Sequence, residues 1–225
     1  MLKRDEELDG IIADCGAAIK RNPKNIKAYI SRAHAYGEKG DYDKAIRDLT
    51  AAIRISPDDS TLYYNRACQY LEGKNDCANA VRDFTTVLQL SPGDASALAN
   101  RGIAYGRMGA VEEAARDMSA SVDAAPDNTD LLKMCGAVHA HKGDHAAAIR
   151  YFSLALAKDP EDADAWLHRG NAYLATGDQN KSAADFKSAA DLGSQDALDA
   201  LGNMGIQYTP APRATPGTRS YWGKL

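Results

Sequence analysis

The densest group of metal-competent side chains in this sequence is Cys135, His139, His141 and His145. Cys135 and His139 lie one helical turn apart, and thiolate and imidazole both suit zinc and related ions. A second chemistry resides in the amides. Asn65 and Asn100 can each donate to and accept from a peptide backbone, so together they could hold an extended segment whatever its side chains. The third is ionic: Arg32, Arg66, Arg101 and Arg169 recur at near-constant spacing, and so do Asp48, Asp83, Asp117 and Asp185. Where the arginine series reaches Cys135, the aspartate series reaches Tyr151, so both charges vanish together. A partly buried charge stripped of its partner costs about 3–5 kcal/mol, so the joint loss places each arginine opposite its aspartate across a helical hairpin.

The elements that position these groups are set by a period. Five of the 8 prolines are Pro23, Pro57, Pro92, Pro126 and Pro160, and the other three lie beyond residue 209. Six residues after each periodic proline comes a large side chain: Tyr29, Tyr63, Leu98, Leu132 and Trp166. Seven further on stand Tyr36, Tyr70, Tyr105, His139 and Tyr173, and four beyond most of those come Gly40, Gly109, Gly143 and Gly177. Glycine ends a helix in the left-handed conformation without a Cβ penalty, and proline cannot continue one. Each period therefore reads helix, turn, helix, turn. In the second helix a small residue precedes a bulky one by four: Ala45 and Leu49, Ala80 and Phe84, Ala114 and Met118, Ala148 and Phe152, Ser182 and Phe186. Such a pair lies on one face, so a neighbouring helix can approach over the small residue and pack on the large one. Cys135 and His139 occupy packing positions in this register, and His145 falls beyond the helix-ending Gly143, which disfavours a metal site.

The unit resembles the tetratricopeptide repeat, whose 34-residue pattern is W-x2-L-G-x2-Y, then A-x3-F, then P. The fifth unit carries Trp166, Gly170, Tyr173, Ser182 and Phe186, and the third Leu98, Arg101, Gly102, Tyr105, Ala114, Met118 and Pro126. The resemblance implies an all-α right-handed α-solenoid of five helical hairpins, at about 26–59, 60–94, 95–128, 129–162 and 163–194. A half repeat at 5–22, with Ile11 and Cys15 in the paired positions, precedes them, and a capping helix at 195–205 follows. The resemblance further implies that first helices line a concave groove that binds a peptide segment of a partner protein. The groove positions are then Ile30 and His34, Tyr64, Asn65, Cys68 and Leu71, Asn100 and Ile103, Lys133 and Met134, and His168 and Asn171. At this level the alternative that Asn65 and Asn100 are merely solvated stays open. A subset of the family clamps the carboxylates of chaperone tails with lysine, asparagine and arginine. The corresponding places here hold Ile30, His34, Asn65, Ser96 and Asn100, of which only Asn65 fits.

Between Tyr70 and Ala80 one residue is added, which predicts a remodelled turn at 73–77. Alanine is the commonest residue, against 3 Phe and 2 Trp, which favours closely packed helices over sheets. The net charge of -4 provides no basic field for nucleic acid or an anionic membrane. No apolar run reaches membrane-spanning length and no signal-peptide core follows the N-terminus, so a cytoplasmic location is expected. The 4 cysteines form no C-x-x-C pair, as expected of free thiols in a reducing compartment. Phosphate loops, nucleophile elbows and metalloprotease motifs do not occur, which points to a non-enzymatic adaptor without cofactor. The alternatives are a self-assembling homo-oligomeric scaffold or one autoinhibited by its Pro-rich basic tail, 209–225, expected to be disordered; a metal- or thiol-responsive regulator is disfavoured.

Overall fold

The computed structural model describes residues 2–210, with side chains from residue 4. The expected tail lies outside the described residues from 211 on. Within the described residues all regular structure is helical. Contacts divide the chain into two compact units, Met1–Leu131 and Leu132–Leu225.

In the first unit α1 (Leu2–Arg21) precedes three hairpins, α2 (Ile26–Glu38) with α3 (Tyr42–Ile55), α4 (Ser60–Cys68) with α5 (Cys77–Leu90), and α6 (Ala95–Arg107) with α7 (Val111–Ala124). Helix α8 (Thr129–Lys142) follows, most of it in the second unit. There it packs on α9 (His145–Lys158) through Ala140, Ala148 and Phe152, ahead of α10 (Ala163–Ala175) with α11 (Gln179–Asp191) and a last helix, α12 (Gln195–Asn203). The fold class is the all-α solenoid type, five helical hairpins with a single helix before and another after them.

Boundaries follow from local chemistry. Asp59, Asp76, Asp94, Asp144, Asp162 and Asp178 each cap a helix, the carboxylate accepting a backbone N–H of the first turn. Between first and second helices, Gly40, Gly109, Gly143 and Gly177 take φ of 75°, 78°, 84° and 84°. In the second hairpin Asn75 takes that role, with φ 49°. The added residue acts earlier than the turn at 73–77 where the spacing places it. The end of the first helix widens into a π-helical turn over Gln69–Gly73. The closing bond, which elsewhere runs from Asp41 N–H to Tyr36 C=O, here runs from Asp76 to Tyr70, one residue longer.

The small-and-bulky rule sets the packing. Ala45, Ala80, Ala114, Ala148 and Ser182 are all buried, as are Leu49, Phe84, Met118, Phe152 and Phe186. First helices admit the bulky side chain by presenting a small residue: a Cβ at Gly170 would stand 2.7 Å from the Phe186 ring.

The four charge pairs form. Arg32, Arg66, Arg101 and Arg169 each donate Nε to one carboxylate oxygen at 2.7 Å, and Nη2 to the other, of Asp48, Asp83, Asp117 and Asp185 respectively. Three of them use the remaining Nη1 to reach the preceding hairpin. Arg66 donates to Thr50 Oγ1 at 3.0 Å, Arg101 to Thr85 Oγ1 at 3.1 Å and Arg169 to Ser153 Oγ at 3.0 Å. Each hydroxyl donates in turn to the carbonyl four residues back in its helix. The arginine thus ties its own hairpin together and fastens it to the one before.

Candidate functional site

First helices place one face toward their hairpin partner and another outward, and the outward faces of α2 and α4 enclose a cleft. Its walls hold Ile30, Ala33 and His34 from α2, and Asn65, Cys68 and Gln69 from α4 and its π turn, with Leu49 at the floor; its volume is about 190 Å³. Four groove positions read from the sequence, Ile30, His34, Asn65 and Cys68, therefore meet at one place. Gln69 and Leu49 belong to the cleft and escape the periodic reading. Gln69 is brought in by the π turn, and Leu49 belongs to a second helix.

The polar groups of the cleft differ in how they are used. The Asn65 amide makes no hydrogen bond within the described residues, and Gln69 Oε1 is buried without one. Gln69 reaches this position across Gly37, where a Cβ would come within 2.6 Å of Oε1. The sequence signal for it is that glycine, placed inside a helix where glycine otherwise only weakens it. His34 Nδ1 lies 3.3 Å from Glu38 Oε1, one turn on. Burial, aided by Glu72, pushes the Cys68 thiol up to about 11. Cys68 is therefore a neutral thiol at physiological pH, a poor nucleophile and a poor metal ligand.

Asn100 and Tyr64 are neighbours of this cleft. Asn100 Nδ2 donates to Tyr64 Oη at 2.8 Å, and the Tyr64 ring stands edge-on to Phe84, centroids 5.6 Å apart. Burial raises the Tyr64 phenol above its ordinary range. Tyr64 also lines a recess of about 290 Å³ with Ser60, Thr61 and Ser96. Asn65 and Asn100 are therefore not equivalent, because one amide is free and the other holds a tyrosine. Ile103 is half-buried against the core of the second hairpin.

Leu71 requires correction. It is 3% exposed and packs with Phe84 and Ala80 in the core, so it is no groove anchor. The physical reason is the π turn over Gln69–Gly73, which carries Leu71 onto the core of the second hairpin, whereas its counterpart in the fifth hairpin, Leu174, is 41% exposed.

The other candidates belong to the second unit. Lys133 Nζ lies 2.7 Å from Asp162 Oδ2, Met134 is half-buried, and His168 and Asn171 are exposed, with His168 stacked 5.7 Å from Phe152. There Cys135 is fully buried, and His139 Nδ1 lies 3.4 Å from Asp144 Oδ2. No three His, Cys, Asp or Glu side chains of the described residues come together as a metal would require. No described helix is long and apolar enough to cross a membrane.

No curated protein sequence is found to be similar. Solved structures are. YrrB, described as a TPR protein with an unusual peptide-binding site, superposes with a TM-score of 0.72 at 20% identity, over 84% of this chain and 97% of that one. PilW, a type IV pilus biogenesis factor, gives 0.69 at 22%, over 88% and 93%. MamA of Desulfovibrio magneticus RS-1 gives 0.68 at 24%, over 76% and 97%. At these identities the likeness speaks for the fold. Tetratricopeptide repeat family models match residues 26–59, and 69–129 with 136–197, more than half of the sequence. With the repeating arginine staples and the small-and-bulky packing already described, that match settles the lineage: this chain belongs to the tetratricopeptide repeat family.

Proposed function

We propose that the chain is a non-catalytic binding module that takes a peptide segment of another protein into the cleft between α2 and α4. One observation carries this reading. A free amide, Asn65, and a buried amide oxygen without a partner, Gln69 Oε1, face the same small apolar recess. A buried acceptor without a hydrogen bond costs about 1–3 kcal/mol, which a backbone N–H of a bound peptide would offset. Ile30 and Leu49 supply the apolar lining on which a side chain of that peptide rests, and His34 sits at the rim beside Glu38. The family is one of protein-interaction repeats, and the fold neighbour YrrB is described as having a peptide-binding site, which agrees with this assignment. The neutral Cys68 thiol favours a structural part in the wall over a reactive one.

The test is selection of binders from a random peptide display library, followed by fluorescence anisotropy with the purified chain. Asn65→Ala should lower the affinity of the selected peptides about tenfold with the far-UV circular dichroism unchanged, as expected for loss of about 1–2 kcal/mol of hydrogen bonding. Peptides bound equally well by Asn65→Ala and Gln69→Leu variants would refute the cleft as the site.

A further inference from the structure

Helix α1 stands in the register of a second helix, but its own first helix is absent from the described residues. The positions that in each hairpin face the first helix are, in α1, Ile11, Asp14, Cys15 and Ala18. In α3 these positions are Ala45, Asp48, Leu49 and Ala52, all buried, and their counterparts in α5, α7, α9 and α11 are buried too. In α1 none is: Ile11 is 39% exposed, Asp14 is exposed, and Cys15 and Ala18 are half-exposed. A slot of about 600 Å³ results, walled by Leu8, Ile11, Asp14 and Cys15 on one side and by Ile30 and Ala35 of α2 on the other. Asp14 is the counterpart of Asp48, Asp83, Asp117 and Asp185, each held by two arginine bonds. Among the described residues Asp14 has no ion pair.

We infer that this slot docks an amphipathic α-helix of a partner protein that carries an arginine for Asp14, lying against α1 as a first helix lies against its second helix in the other hairpins. Chemistry and register define the occupant. Its arginine meets Asp14 in the same two-bond geometry, and charge complementarity fixes its height in the slot. The residue five positions after that arginine faces Ile11, the largest side chain at a position that is otherwise alanine or serine, so it must be small. The residue just after the arginine faces Cys15, smaller than the Leu, Phe or Met of the other hairpins, so it has room. The slot shares Ile30 and His34 with the cleft between α2 and α4, but Ile11 and Asp14 lie outside that cleft.

The probe is a labelled peptide spanning residues 94–109 of this chain, which contains Arg101 and, five positions on, Gly106. Binding to the full chain is read by fluorescence anisotropy, with sedimentation at the same concentrations. The expected result is saturable binding that Asp14→Asn weakens about tenfold, that Arg101→Ala in the peptide weakens equally, and that falls no further when both are combined. Ile11→Asp, a surface change, should abolish it without altering helicity. No binding at millimolar peptide, or binding indifferent to Asp14→Asn and Ile11→Asp, overturns the proposal. So does a dimer that Ile11→Asp converts to monomer, since the slot then belongs to a second copy. Removal of residues 211–225 that raises affinity more than tenfold overturns it as well, because the tail is then the occupant. Asn65→Ala leaves this peptide's affinity unchanged, so failure of the cleft and failure of the slot are told apart.

Discussion

Removing Arg66 or Asp83 singly should destabilise the protein far more than removing both. The Asp83 side chain is 4% exposed and that of Arg66 16%, and the two share bonds of 2.7 and 2.8 Å. Asp83→Leu leaves a guanidinium with one hydrogen bond, to Thr50, and the face of Tyr63; Arg66→Met leaves a carboxylate among the apolar side chains of α5. Each single change breaks a well-formed pair and should cost about 3 kcal/mol. For a chain of this length that is a fall in Tm of about 6–12 °C. The double variant replaces two desolvated charges by apolar groups of similar volume, and should recover to within about 1 kcal/mol of the parent. The fourth hairpin is this double variant made naturally, with Cys135 and Tyr151 in the two places. The assay is urea unfolding followed by circular dichroism, comparing midpoints at unchanged slope so that a loss of cooperativity between the two units is recognised. A double variant as unstable as the sum of the singles would refute the pairing as the cause of the joint loss, as would single variants within about 0.5 kcal/mol of the parent.

Two further predictions come from the same staples. Arg66, Arg101 and Arg169 each reach a hydroxyl on the preceding helix, whereas the counterpart for Arg32 is Gly16, whose added Cβ would stand an ordinary 3.5 Å from Arg32 Nη1. Gly16→Ser should therefore add a hydrogen bond and relieve a mid-helix glycine, raising stability by about 1 kcal/mol and Tm by about 2–4 °C in a thermal melt; a lower Tm would contradict the geometry. The Asp162 carboxyl is pushed up by burial, but its bonds to Lys133 and to the Ala165 N–H outweigh this and hold it below the usual carboxylate range. A carboxyl depressed in the folded state stabilises above the unfolded value, about 3.9, and loses that contribution as pH falls through its folded value. Asp162→Asn should thus cost about 1 kcal/mol at pH 7 and nothing at about pH 2, and an equal penalty at both would refute the ion pair as the cause.

What was legible in the sequence is what the repeat makes redundant. Pro23 to Pro160 and the alanine-to-phenylalanine pairs recur because each hairpin solves the same packing problem, so five weak signals in register reveal the helices, their turns and the arginine staples. The hydroxyls at Thr50, Thr85 and Ser153 recur too, but as two residue types on a half-buried face, and their meaning becomes visible only when an arginine of the next hairpin is seen to donate to them. The cleft is built where the repeat is broken. One added residue turns the end of α4 into a π turn, which carries Gln69 over Gly37 and Leu71 into the core. Periodicity cannot announce such a place, because a π turn is a local response to a single extra residue and not a pattern. The same reasoning gives the half repeat its weight. Ile11 and Asp14 look ordinary on a lone surface helix, yet in register they are the one set of hairpin-facing residues left uncovered among the described residues. In a fold whose units are interchangeable, both proposed binding surfaces thus lie at positions where the interchange fails.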